Sequence, residues 1–160
     1  MYSSTFGEID LNNIAEIIVN SIIVNKDSKY EILIGSDSQT YKNRSKLVSV
    51  IVFRRIGKGA IFFYDNKIVE PCYKTIRQKL VAETSGSLEL ANNLLKCIED
   101  IGKDDVLDKV NIKIHVDAGE MGPTKLLINE VIGWIEACGY HCKIKPYSYA
   151  ASSVADKLSK

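Results

Sequence analysis

The chain has 160 residues, 46% of them apolar and 26% charged, with a net charge of +1 at neutral pH. That length suits one domain able to bury a core without disulfide or metal staples, and the composition excludes disordered and fibrous classes. No apolar run approaches the ~18 residues of a membrane span, and Met1 to Glu8 lack the basic and apolar segments of a secretory signal, so a cytoplasmic protein is expected.

Asp10 precedes Leu11, Ile14, Ile17, Ile18 and Ile22 on one stripe, which predicts an amphipathic helix over about 10–24. After a polar turn, Glu31 to Asp37 reads as a buried strand that ends in small and polar residues. Tyr41 to Arg44 is a turn, and Leu47 to Phe53 is rich in β-branched residues, the signature of a second strand. Gly57-Lys58-Gly59 reverses the chain into Ala60–Tyr64, completing an antiparallel meander.

A long helical pattern follows from about Thr75 to Ile101, with Ile76, Leu80, Ser87, Ala91, Leu94 and Ile98 along one side and Gly102 as its stop. Val110 to Val116 alternates as a strand and runs into Asp117. Gly119 to Lys125 leads into a helix with Leu126, Leu127, Val131, Ile132 and Ile135 as apolar residues, closed by Gly139. His141 to Lys145 is a short strand broken by Pro146, and Tyr149 to Leu158 forms a terminal helix. The expected fold is therefore α/β, a mixed five-stranded sheet in the order β-β-β-α-β-α-β-α, with an extra N-terminal helix and a single domain over 1–160.

Charge is unevenly placed. Between Tyr41 and Leu80 ten basic residues face only Asp65 and Glu70, a local charge of +8 that leaves −7 for the remainder. Such a segment either attracts a polyanion or protects exposed strands. Lys42, Arg44, Lys46 and Lys58 are the candidate contacts to nucleic acid.

Cys138, His141 and Cys142 form a local group, but Gly139 separates a helix from a strand there and no second pair supplies further zinc ligands. Without an export signal, the four cysteines are expected as reduced thiols. Gly122-Pro123-Thr124 at a helix start offers backbone N–H groups to a phosphate, which opens a nucleotide-binding alternative. The P-loop spacing is missing, and helix-start geometry accounts for the segment equally well.

Asp37 and Asp117 each follow a buried apolar run. A carboxylate there costs several kcal/mol unless a cation or hydrogen bonds compensate it. One such residue is explained as a turn cap; two at equivalent ends of neighbouring parallel strands, ~4.8 Å apart, suit shared ligation of a hard divalent ion.

Gly35-Ser-Asp37-Ser-Gln39, the acidic long helix, His115-Val-Asp117-Ala-Gly119 and Ala155-Asp156-Lys-Leu158, in this order, resemble the ribonuclease H-like superfamily. Lys145-Pro-Tyr-Ser-Tyr-Ala-Ala-Ser-Ser153 and the Gly-Ser-Asp-Ser-Gln run are similar, more narrowly, to the YkuK-type family. The resemblance spans about 31–160, leaving the first helix outside the common core. It implies a three-layer fold and a nuclease acting on RNA, an RNA–DNA hybrid or structured DNA. It further implies two magnesium (or manganese) ions on Asp37, a helix glutamate, Asp117 and Asp156. Helical phase favours Glu83 for the glutamate, on the flank of the apolar stripe, over Glu89 beside Ser85, Asn92 and Asn93. A mobile histidine found before the last helix in some ribonucleases H has no counterpart in Pro146-Tyr-Ser148. A non-catalytic nucleic-acid-binding domain of the same fold is the alternative.

Overall fold

The computed structural model describes the backbone of all 160 residues and the side chains of all but Asp104 and residues 149–152. Strands β1 (Tyr2–Ser3) and β2 (Gly7–Glu8) precede helix α1 (Leu11–Val24) and the long strands β3 (Tyr30–Tyr41), β4 (Arg44–Arg55) and β5 (Gly59–Val69). Helix α2 (Ile76–Asp100), the short α3 (Asp104–Leu107), β6 (Val110–His115), α4 (Ile128–Ala137), β7 (His141–Lys143) and α5 (Tyr149–Ser159) complete the chain. All strands join one sheet in the order β2-β1-β5-β4-β3-β6-β7. The meander β3–β4–β5 is antiparallel, while β6 and β7 run parallel to β3.

The sheet has seven strands rather than five, because the N-terminal residues form a hairpin of two short strands, two residues each, on the outer edge of β5. It pairs through Tyr2↔Tyr64 and is held by an edge-on Tyr2–Tyr64 contact at 5.6 Å and stacking of Phe6 on Phe63 at 6.1 Å. Strands of two residues carry no alternation for a sequence pattern to reveal.

Alternation along β3 and β4 separates two packed faces. Ile32, Ile34, Ile51 and Phe53 lie in the main core with α1 and α2. Leu33, Val48, Val50 and Val52 lie under α5, whose Ala155 is fully buried among them. Helix α1 belongs to the core: Ile14, Ala15, Ile18, Val19 and Ile22 are at most 2% exposed. Burial contributes roughly 1.5–3 kcal/mol for each large aliphatic side chain among them. Asp10 caps α1 by accepting from the Asn13 N–H at 2.8 Å, and Thr75 with Gln78 forms a capping box at the start of α2.

Two local expectations are corrected. A 3₁₀ turn over Lys125–Leu127 precedes α4, which starts only at Ile128, and Leu126 is 88% exposed rather than packed. Strand β3 does not stop at Asp37 but continues to Tyr41, because β4 keeps pairing with it after β6 has ended at Gly35↔His115.

Candidate acidic site

Asp37 therefore sits two residues beyond the last β3–β6 pair, where the sheet loses a neighbour on one side of β3. It is 3% exposed, and its Oδ2 accepts a 2.5 Å hydrogen bond from Ser159 Oγ at the end of α5. The same hydroxyl lies 3.0 Å from the Asp156 carbonyl oxygen, so the last turn of α5 is tied to the strand bearing the acid.

Glu83 approaches from α2 and is 6% exposed. Its Oε1 accepts from the Ser38 backbone N–H and the Ser38 hydroxyl, both at 2.8 Å. Burial pushes the Glu83 carboxyl up to about 7, against the pull of Ser38 and of Lys79 and with the help of Asp37. Lys79, one turn before Glu83, places its Nζ 3.8 Å from Asp37 and 3.7 Å from Glu83. Two buried carboxyl groups thus share one ammonium. Glu89 is exposed and lines a separate groove along α2.

Asp117 follows β6, as Asp37 follows the paired part of β3. Beyond His115, however, the chain turns toward the extension of β7: Lys145 N–H donates to the Ala118 carbonyl at 2.8 Å. The Lys145 ammonium then meets Asp117 at 2.7 Å. Between Glu83 and Asp117 lies a crevice too narrow to admit water, also touched by Ser36, Thr84, Ser87 and His115. Within it, Thr84 Oγ1 is buried with no hydrogen-bond partner among the described residues. Asp156 is engaged by Lys160 at 2.7 Å, which raises the lysine. His115 is 5% exposed and is lowered to about 4, first by burial, against a hydrogen bond with the Ser148 backbone. It is a packed strand histidine.

The donor set is all carboxylate, the chemistry of hard divalent cations. Asp37 and Glu83 fit magnesium in the manner of an ion held by one or two carboxylates and completed by water and substrate phosphate. They do not form a ready cage: among the described residues no three His, Cys, Asp or Glu side chains are grouped to hold a metal.

Of the basic residues, Lys42 and Arg44 stand at the β3–β4 turn, at the same end as Asp37. Lys42 adopts a left-handed φ of 53° and lies over the Tyr41 ring at 5.4 Å. Arg44 is ion-paired with Glu70. Lys46 donates to the Leu158 carbonyl at 2.6 Å, so it closes the C-terminus of α5. Lys58 occupies the opposite turn, separated by the length of β4, roughly 35 Å. Lys74, Arg77 and Lys79 stand at the start of α2, where Arg77 donates two hydrogen bonds to Glu130 of α4, at 2.9 and 3.0 Å.

Sequence reasoning missed four partners of the acids: Lys79, Lys145, Ser159 and Lys160. Lys79 and Lys160 left a trace, their i,i+4 spacing to Glu83 and Asp156. No helix among the described residues is long and apolar enough to cross a membrane.

Comparison with known proteins adds three findings. A family model described as Ribonuclease H-like matches residues 13–160, which takes in most of α1 and strands β3 to β7. The protein YkuK of Bacillus subtilis (strain 168) is 30% identical over 169 aligned positions, covering 99% of this chain and 96% of YkuK. Among solved structures, the N-terminal RNase H domain of Rv2228c from Mycobacterium tuberculosis, determined as a fusion with maltose-binding protein, matches with a TM-score of 0.40. It is 11% identical, over 82% of this chain and 94% of that one.

Proposed function

The chain belongs to the ribonuclease H-like family, and from that premise we propose that it is a metal-dependent nuclease. Family membership supports a function on nucleic acid in general. The observation that carries the finer assignment is the buried Asp37–Glu83 pair sharing the Lys79 ammonium. Two acids at most 6% exposed, one of them raised to about 7, have a single ammonium between them, and a divalent cation there would favour the ionised form of both.

In this proposal Asp37 and Glu83 hold magnesium or manganese. Asp117 and Asp156, with side chains 30% and 40% exposed, exchange Lys145 and Lys160 for metal and complete a set for two ions. The metal supplies activation of water and charge stabilisation on phosphoryl oxygens. The chain's own groups do the rest. Ser38 fixes Glu83 through two hydrogen bonds, Ser159 fixes Asp37, and Lys74 and Lys79 at the start of α2 draw the phosphate backbone toward the acids. RNA, an RNA–DNA hybrid and structured DNA are the substrates to try.

A panel of labelled single-stranded, duplex, hybrid and branched substrates, with magnesium or manganese, tests the assignment. Asp37→Asn and Asp117→Asn are expected to lower cleavage at least about a hundred-fold, the size of losing one electrostatic stabiliser from an active site, with unchanged circular dichroism. Wild-type turnover by both variants refutes the proposal. The lysine at every acid favours one second possibility, a nucleic-acid-binding domain without catalysis. It predicts salt-sensitive binding and no cleavage with either metal.

A further inference from the structure

A groove of about 420 Å³ runs beside the acidic pair, between α2 and strands β4 and β5. Ala82 and Gly86, which flank Glu83 along α2, both line it. At Gly86 the helix lies close to the sheet: a Cβ there would stand 3.3 Å from Ser49 Oγ and 3.4 Å from Leu47 Cδ2. Tyr73 also lines the groove. Its backbone is anchored by a 3.0 Å hydrogen bond from the Tyr73 N–H to Ser45 Oγ.

We propose that this groove is a nucleobase subsite, receiving one unstacked base of a single-stranded segment whose backbone passes the Asp37–Glu83 pair. The proposal rests on the nuclease assignment for its orientation, and its chemistry comes from the lining. Leu47 and Leu90 supply apolar walls, and Tyr73 supplies an aromatic surface. Asn66 and Asn93 offer amide donors and acceptors, suited to the edges of a base. Asp65 and Glu89 outnumber Lys67, so the groove disfavours a phosphate group while accepting from the exocyclic amino groups of bases. The volume falls in the ordinary range of ligand pockets, about 300–1,000 Å³. A duplex keeps its bases stacked and cannot fill the groove without unpairing one, so single-stranded nucleic acid is the favoured substrate.

The test compares two single-stranded oligomers of equal length, one with bases and one of abasic backbone, bound at one salt concentration in EDTA. The full chain carries Asp37→Asn so that nothing is cut. The base-containing oligomer is expected to bind about ten-fold tighter or more, the contribution of one base stacked on an aromatic side chain. Tyr73→Ala and, separately, Asn93→Leu on the exposed face of α2 should shrink that ratio and leave the abasic affinity unchanged. Circular dichroism checks that both variants fold. Equal affinity for the two oligomers, no affinity for either, or a ratio indifferent to both substitutions overturns the subsite. Failure of the nuclease assignment is seen separately, as absence of cleavage by the wild-type chain with magnesium or manganese while the binding ratio persists.

Discussion

Glu83 lets the acidic site be tested without any substrate. Its carboxyl is raised from 4.5 to about 7, first by burial, with Ser38 and Lys79 opposing and Asp37 adding to the rise. Below pH 4.5 the group is protonated in both the folded and unfolded chain and costs nothing. As pH climbs, the unfolded chain ionises first, and above about 7 the folded protein carries a carboxylate that water would hold better. The gap corresponds to about 3 kcal/mol, present as stability at low pH and lost as pH rises through that window. Glu83→Gln keeps an oxygen for the two Ser38 donors and removes the charge.

Urea unfolding in EDTA between pH 4 and 8 measures the effect as the difference between variant and wild type. Near pH 4 the two should be equally stable, and at pH 8 the variant should lead by about 3 kcal/mol. His115 tilts the curve the other way. Lowered from 6.5 to about 4, mainly by burial, it contributes stability that is full above pH 6.5 and lost as pH falls toward 4. It does so in both proteins, so it cancels from the difference. Adding magnesium at pH 8 should then stabilise the wild type, by roughly 1.4 kcal/mol at ten times its dissociation constant, and leave Glu83→Gln unmoved. A variant that tracks the wild type at every pH refutes the reasoning.

Two further outcomes concern the frame around the acids. Ser87 donates to Ser36 at 2.9 Å, and Ser36 lies 2.7 Å from Ser49, so this hydroxyl chain pins α2 to the sheet; Ser36→Ala should cost about 1–3 kcal/mol in urea unfolding, and unchanged stability would show the chain to be idle. Lys46→Met removes the cation at the end of α5 and should cost about 0.5–1 kcal/mol without altering how nucleic-acid affinity falls with salt; a slope reduced by about one would instead mark Lys46 as a phosphate contact.

The long elements were legible because several signals agreed on each. In β3 and β4 the β-branched runs, the alternation and the intervening turn point the same way, and both α1 and α2 begin at side-chain caps that their sequences announce. Asp37 and Asp117 stood out because a carboxylate directly after an apolar run needs a reason. Ser159 was illegible for a physical reason as well: it meets Asp37 across 122 positions, a contact made by packing α5 on the sheet and by no local pattern. Leu126 was counted with the apolar residues of the α4 helix, but it lies in a 3₁₀ turn, which has three residues per turn. The apolar stripe of α4 therefore cannot be extended backward at 3.6.

The lysines bear on how such a site forms. Lys145–Asp117 and Lys160–Asp156 are close pairs at 2.7 Å, yet their lysine side chains are 59% and 65% exposed, and exposed pairs of this kind are worth about 0–1 kcal/mol. They can be exchanged at little cost. At the buried pair the balance differs: Lys79 remains 3.7–3.8 Å from each acid, too far for a close hydrogen bond, and one positive charge is spread over two carboxyl groups deprived of water. A dication placed there would bring twice the charge to the groups least served by solvent. The order of metal affinity should therefore run from the buried pair outward, with Asp117 and Asp156 recruited after Asp37 and Glu83 rather than before them.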